Sequence, residues 1–282
     1  MEKDFNDREF KFTTKHFNII KDYIAEHAGI ALADSKQQMV YSRLVRRLRA
    51  KKIPNFDTYL ALLKSDDGSE LINFINALTT NLTSFFRENH HFEFLISSAL
   101  PWLESENSAT RKIKIWSAGC STGEESYSIA MTVMEYFKNK PGWVVEISAS
   151  DLDSNVVQTA QNGIYPLERV KGIPKSRLQR WFLKGKGGNE GMVRVKPELQ
   201  KILQFRQLNL LHTWPWKEKF DIVFCRNVVI YFNKDTQRVL FGRFNENMKE
   251  KGHLFIGHSE SLNKVSDRFK LIGKTIYQKI DG

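Results

Sequence analysis

The residues of this chain best equipped for chemistry lie in one short turn, Gly119-Cys120-Ser121-Thr122-Gly123, followed at once by Glu124 and Glu125. An apolar run ending in Ile115-Trp116-Ser117-Ala118 enters the turn, and a helical pattern leaves it. Three chemistries have this shape. Free N–H groups at a glycine turn opening a helix can hold phosphate. Here the Walker lysine is missing, and two carboxylates in the first helical turn would repel a phosphate, so that reading fails. The same residues match the G-x-S-x-G elbow of serine hydrolases, with Asp221 and His258 following in the right order. That fold needs strands and an oxyanion segment ahead of the elbow, whereas everything upstream reads as helix. An esterase using Ser121 is the runner-up among enzymes. The third chemistry is a nucleoside cofactor that carries hydroxyls and a positive charge instead of phosphates. An acidic first turn then helps, and Asp151, closing the next strand-like run in ISASDLD, can grip a ribose. A glycine turn after one strand and an acid after the next describe a site for S-adenosylmethionine.

These residues need a scaffold, and the pattern supplies one. After Arg111, β-type runs alternate with helical segments: KIKIWSA, a helix to about Lys138, WVVEISAS, a helix from Ser154, ILQFRQLNL, FDIVFCRN, a helix in KDTQRVLFGRFNENMKEKG, HLFIGHS and a final strand KLIGKTIYQKI. That alternation predicts an α/β, doubly wound sheet with ligands at the carboxyl ends of its strands. Residues 1–80 read as a small all-helical domain. Phe17, Ile20 and Ile24 share a helical face after Thr14 as the cap, Gly29 stops that helix, and MVYSRLVRRLRAKK forms the next one. Residues 81–282 form the second domain. Within it, glycines 185, 187, 188 and 191 separate two β-type runs in WFLKGKGGNEGMVRVK, which predicts an inserted hairpin at about 176–198.

Composition narrows the class. The chain has 282 residues, no apolar run long enough to cross a bilayer, and a charged N-terminal MEKDFNDREF without the pattern of a signal peptide. Its two cysteines, Cys120 and Cys225, suggest neither a disulfide framework nor metal spacing, and a cytoplasmic location is expected. His90 and His91 are neighbours on a helix with no third ligand at a metal spacing, so no metal is expected. The formal charge of +11 points to nucleic acid or to an acidic protein partner.

TTNLTSFFRENHHFEFL, GCSTGEESYSIAM and FDIVFCRNVVIYFNKDTQ together resemble the chemotaxis receptor methyltransferases, the CheR family. SRLVRRLRA, SDLDSNVVQTAQNGIY and LFIGHSESL belong to the same pattern, so the resemblance covers nearly the whole chain. It implies S-adenosylmethionine-dependent methylation of glutamate side chains on chemoreceptors, giving methyl esters for sensory adaptation. Residue by residue, it implies that Asn81, Thr83 and Arg87 face the cofactor together with Gly119, Glu124 and Asp151. Asn209, Leu210, Arg226 and Asn227 are implied as further cofactor contacts, with a structural ion pair as the alternative for Arg226. Arg87 and Tyr231 are implied near the reacting centre.

The expected reaction needs no general base, because a free glutamate has a pKa of about 4.3 and is ionised at neutral pH. Alignment and exclusion of water should supply most of the acceleration. Arg43, Arg46, Arg47 and Arg49 form a cationic cluster expected to dock the acidic methylation helices of receptors. The hairpin 181–196 resembles a peptide-binding element that would capture a receptor's C-terminal pentapeptide. Recruitment to membrane receptors without membrane insertion follows from these expectations. A nucleic-acid methyltransferase is the alternative, disfavoured by the missing nucleic-acid motifs.

Overall fold

The computed structural model describes residues 9–65 and 68–280. Contacts divide the chain into two units, Met1–Thr80 with Tyr231–Asn233, and Asn81–Ile230 with Lys234–Gly282.

The first unit is helical: α1 (Thr14–Ala28), a 3-10 turn (Asp34–Lys36), α2 (Gln37–Lys51), α3 (Phe56–Ser65) and α4 (Ser69–Leu78). The cap of α1 is Thr13 rather than Thr14. Its hydroxyl accepts the His16 N–H while the His16 ring accepts the Thr13 N–H, a reciprocal capping box. Gly29 ends the helix at φ 69°, as expected. Phe17, Ile20 and Ile24 of α1 are buried, as are Val40, Leu44, Val45 and Leu48 of α2.

The arginines of α2 differ from the expected outward-facing cluster. Arg43 donates to the Leu78 and Thr79 carbonyls at 2.8 and 2.6 Å, satisfying the end of α4. Arg47 forms a two-pronged pair with Glu70 at 3.0 and 2.7 Å, and Tyr59 donates to the same carboxylate at 2.9 Å. Glu70 is fully buried. Burial alone would raise its pKa, but the Arg47 hydrogen bonds hold it below the ordinary value. Arg49 pairs with Glu9. Arg46 is exposed.

The second unit opens with α5 (His90–Phe94), a π-helical turn (Leu95–Ala99) and α6 (Leu100–Glu106). It continues through β1 (Lys112–Ala118), α7 (Glu124–Tyr136), β2 (Val144–Asp151), α8 (Ser154–Asn162), β3 (Ile164–Pro166), α9 (Lys175–Trp181), β4 (Phe182–Lys184), β5 (Met192–Val195), α10 (Pro197–Gln200), β6 (Leu203–Gln207) and β7 (Phe220–Cys225). It closes with α11 (Lys234–Asn247), β8 (Met248–Ile256), β9 (Phe269–Gly273) and β10 (Ile276–Lys279). A seven-stranded sheet runs β6-β2-β1-β7-β8-β10-β9. Its first five strands are parallel, and β10 and β9 add an antiparallel edge. The second half of β1, Ile115 to Ala118, is buried on both faces. Trp116 alone packs edge-on or tilted against Trp214, Trp216, Phe220 and Phe244.

Three expectations change. The helix after Lys234 ends at Asn247, and MKEKG begins β8. KLIGKTIYQKI is two strands, with Thr275 at φ 56° in the turn between them. The inserted hairpin, β4 with β5, is part of a three-stranded sheet of order β3-β5-β4 that begins at Ile164, earlier than the pattern indicated.

Candidate active site at the carboxyl edge of the sheet

β1 leads to β2 and then β6 on one side, while β7 and β8 lie on the other, so the chain reverses its winding between β1 and β7. Ligands of doubly wound sheets bind at such a point, at the carboxyl ends of the strands. The segments after β1, β6 and β7 carry Gly119, Asn209 and Arg226, and Asp151 is the last residue of β2.

The turn after β1 tolerates no larger residue at its two glycines. Gly119 has φ 95°, and a Cβ there would lie 2.2 Å from Val228 Cγ2. Gly123 has φ 97° and would meet Ala160 Cβ at 2.8 Å and the Tyr165 hydroxyl at 2.9 Å. The Gly119 and Cys120 N–H groups donate to the Ser150 carbonyl, which ties the turn to the end of β2.

Asp151 accepts the Ser121 N–H at 2.8 Å and the Asp153 N–H at 3.1 Å. Burial raises its pKa to about 6 despite these bonds. Glu124 is fully buried, accepts from the Thr122 hydroxyl at 2.6 Å, and has Oε1 without a hydrogen bond, 3.3 Å from an Arg169 nitrogen. A buried carboxylate with one oxygen outside any hydrogen bond and a titratable acid at the next strand end suit a ligand rich in hydroxyls and positive charge. Nothing in the turn suits phosphate.

Asn81 donates to Asp153 Oδ2 at 2.8 Å, and its carbonyl accepts the Ser121 hydroxyl at 3.0 Å. The Thr83 carbonyl accepts from Arg169. Arg87 Nη1 donates to the Leu82 carbonyl, and the residue is half-buried. Its neighbours Phe86 and Glu88 have φ 54° and 57°, left-handed conformations that cost on the order of 1–3 kcal/mol each in residues with a side chain. Phe85 and Phe86 are wall residues: Phe85 meets Tyr165 and Phe182 edge-on, and Phe86 meets Phe92. Asn209 accepts the Leu211 N–H, and the Leu210 carbonyl accepts from Trp214 and Arg243.

Arg226 forms the ion pairs given above as the alternative to a cofactor contact. It is 6% exposed, and its guanidinium reaches Glu125 Oε2 at 3.0 Å, Glu88 Oε2 at 3.4 Å and the Arg87 carbonyl at 2.6 Å. Asn227, at φ 59°, donates its N–H to Glu260. Tyr231 groups with the helical unit, where its carbonyl accepts the Ala31 N–H at 2.8 Å.

Sequence reasoning passed over Glu260. Its buried carboxylate accepts N–H groups from Asn227, Val229, Ile230 and Gly257 at 2.6–3.3 Å, which pins the segment after β7. Burial raises its pKa against those four bonds. Only the phrase HSESL marked the place, with no spacing to reveal the role.

Two rival chemistries are answered by geometry. Ser121 has its hydroxyl on the Asn81 carbonyl, whereas Asp221 serves Asn107, the Lys114 N–H and Lys249 near the opposite end of β1. His258 bonds Glu88 at 2.9 Å. No hydrolase triad is assembled from these three residues. Glu88 supplies the third potential ligand that the sequence did not show beside His90 and His91: the two rings have centres 4.1 Å apart, and ligand atoms of the three residues lie within 4.8 Å of one another. The carboxylate in that group already neutralises Arg226 and bonds His258, so an added cation would sit against a guanidinium.

Comparison with known proteins agrees with this geometry. Residues 81–278 match the model of the CheR methyltransferase SAM-binding domain, and residues 15–79 match that of the CheR all-alpha domain. The chain belongs to the CheR methyltransferase family. It is 43% identical over 274 residues to "Chemotaxis protein methyltransferase 2" of Pseudomonas aeruginosa, covering 97% of this chain and 96% of that protein. It is 46% identical over 267 residues to the "Chemotaxis protein methyltransferase" of Escherichia coli, covering 93% and 90%. The chain is a methyltransferase, and its methyl donor is S-adenosylmethionine. Among the described residues no helix is long and apolar enough to cross a membrane.

Proposed function

We propose that the chain transfers methyl groups from S-adenosylmethionine to glutamate side chains of chemoreceptors, forming methyl esters. The observation that carries this reading is the site's chemistry: two acids, the buried Glu124 and the half-buried Asp151, at the edge of a methyltransferase sheet, with no base assembled at Ser121. When bound, the cofactor supplies an electrophilic methyl group beside a positive sulfur. Asp151 and Glu124 hold its polar edges, and the tight turn at Gly119 allows close backbone approach. An acceptor carboxylate is ionised at neutral pH and needs no proton removed. Arg87 orients carboxylate groups, because a tight ion pair with the acceptor would favour the ground state over the charge-neutralising transition state. Asn81, Thr83, Asn209, Leu210 and Asn227 complete the cofactor's surroundings. Tyr231 directs a hydrogen bond near the reacting centre. Calorimetry with S-adenosylhomocysteine tests the site: micromolar-range binding is expected, weakened about tenfold or more by Asp151→Ala, since a charge-assisted hydrogen bond contributes roughly 1.5–3 kcal/mol. Absence of heat with the parent protein would refute it.

Docking has two supports. On α2, Arg46 and Arg49 are exposed, so they rather than the inward-turned Arg43 and Arg47 would meet acidic receptor helices. On the three-stranded sheet, Leu183, Arg194 and Ile164 lie in register on one exposed face, with Lys184 and Lys186 nearby. An acidic receptor C-terminal pentapeptide adding to an edge strand would gain backbone hydrogen bonds and hold the enzyme near its substrate. Pentapeptide titration of the parent and of a variant lacking residues 185–188 tests this: binding by neither, or equally by both, removes the insert from the function. Such an enzyme acts in the cytoplasm at membrane receptors without entering the membrane.

A further inference from the structure

Arg87 sits between two residues with left-handed backbone, Phe86 and Glu88. Such a loop persists only where its surroundings over-determine it. The Phe86 N–H donates to Ser128 Oγ at 3.0 Å, and the Arg177 guanidinium stacks 4.5 Å from the Phe86 ring. Arg87 itself is held differently. Its carbonyl accepts from Arg226 Nη2 at 2.6 Å, and the other arm of that guanidinium is fixed by Glu125 Oε2 at 3.0 Å. Glu125 accepts in turn from Ser117 of β1 at 2.8 Å. Glu88 closes the circuit, 3.4 Å from Arg226 through Oε2 and bonded to His258 Nδ1 through Oε1. One carbonyl of a strained loop is thereby tied to the central strand through a carboxylate and a guanidinium.

We propose that Glu125, Arg226 and Glu88 are positioning residues that set Arg87 for methyl transfer. The proposal rests on the reading of Arg87 as a residue at the reacting centre. The fork geometry of arginine is what the arrangement requires. Nη1 serves Glu125 while Nη2 serves the Arg87 carbonyl and faces Glu88, and a lysine nitrogen cannot serve all three from one point. Displacements of about 1 Å at an aligned centre can lower turnover about a hundredfold, so a loop free to relax would lose rate before it lost affinity.

The test is a double-mutant cycle on the full chain, with Arg226→Lys, Arg87→Ala and the pair. Three quantities are read: kcat for methyl transfer to a receptor cytoplasmic fragment, S-adenosylhomocysteine affinity, and unfolding midpoint. Arg226→Lys is expected to lower kcat about tenfold or more while changing the affinity less than about threefold. In the Arg87→Ala background it should lower kcat no further, because both changes break one path. Glu88→Gln leaves the Arg226–Glu125 pair intact and should lower kcat several-fold with a near-parental midpoint. It carries the test if Arg226→Lys does not fold. Additive losses in kcat, or affinity falling in step with kcat, would overturn the relay alone. An unchanged kcat in Arg87→Ala would overturn the role of Arg87 and the relay with it.

Discussion

Two segments at the carboxyl edge of the sheet are pinned by buried carboxylates, and the pinning differs. The loop around Arg87 is held by an ion-paired network in which Arg226 faces Glu125 and Glu88. The segment after β7 is held by Glu260, whose carboxylate collects four backbone N–H groups. The first device balances charge against charge, so its strength depends on every member remaining. The second balances one charge against dipoles. Burial raises the pKa of Glu260, and it also raises that of Glu125 despite its pair with Arg226. In Glu88 the balance goes the other way: burial raises the pKa, but the His258 hydrogen bond and the Arg226 charge bring it below the ordinary value. Both devices fix backbone: the network holds the Arg87 carbonyl through a rigid fork, and the Glu260 carboxylate holds N–H groups.

Breaking the network from its centre should have the largest effect. Arg226→Met leaves Glu125 buried without its cation, and removing one partner of a buried pair costs about 3–5 kcal/mol, read by urea unfolding. An unfolding free energy within about 1 kcal/mol of the parent would overturn this ranking. Glu260→Gln comes next. One amide NH2 then faces two of the four backbone donors, and at about 1–3 kcal/mol per unsatisfied group the loss should be at least about 2 kcal/mol. Hydrogen exchange should rise at Asn227, Val229 and Ile230, with the Phe86 and Arg87 amides unchanged.

Asp151 sharpens the contrast, because its carboxylate accepts backbone N–H groups from Ser121 and Asp153 and titrates at about 6. Its folded pKa of about 6 lies above the ordinary value of 3.8, so the folded chain holds this proton more tightly than the unfolded chain does. Stability from this group is therefore greatest below its ordinary pKa and declines as pH rises toward 6. Cofactor affinity runs the opposite way. S-adenosylhomocysteine should bind about tenfold more weakly at pH 5 than at pH 7.5, because most Asp151 is then protonated. Affinity independent of pH across this range would remove Asp151 from the site. Arg46→Ala should have the smallest effect on the fold, within about 0.5 kcal/mol. Arg47→Ala, by contrast, takes the two-pronged partner from the buried Glu70, leaves it Tyr59 and Lys51, and should cost more than about 1 kcal/mol.

The contrast also separates what a sequence displays from what it conceals. Gly119, Glu124 and Asp151 were legible because a strand, a glycine turn and an acidic first helical turn are local patterns with a local physical cause. The pairing of Arg226 with Glu125 spans 101 positions and has no periodicity to announce it. Glu260 bonds backbone N–H groups, which every residue carries, so nothing in HLFIGHSESL marks its partners. The edge hairpin was hidden because its turn places Thr275 in a left-handed conformation where glycine or asparagine would have signalled a bend. MKEKG read as helix from its polar, helix-favouring residues, and sheet pairing with β7 and β10 overrode that preference. The arginines of α2 showed a correct helical face, but sequence could not reveal that Glu70 and the end of α4 would turn two of them inward.

The central claim, that this methyltransferase esterifies glutamate, is tested most directly by the chemistry of its product. The chain is incubated with methyl-labelled S-adenosylmethionine and a receptor cytoplasmic fragment, and the recovered fragment is treated with mild base. Glutamate methyl esters hydrolyse under these conditions, so the label is expected to leave as volatile methanol. It should be absent from a fragment whose candidate glutamates are replaced by alanine. Label that stays on the fragment through base treatment, or that appears only on added nucleic acid, would contradict the assignment.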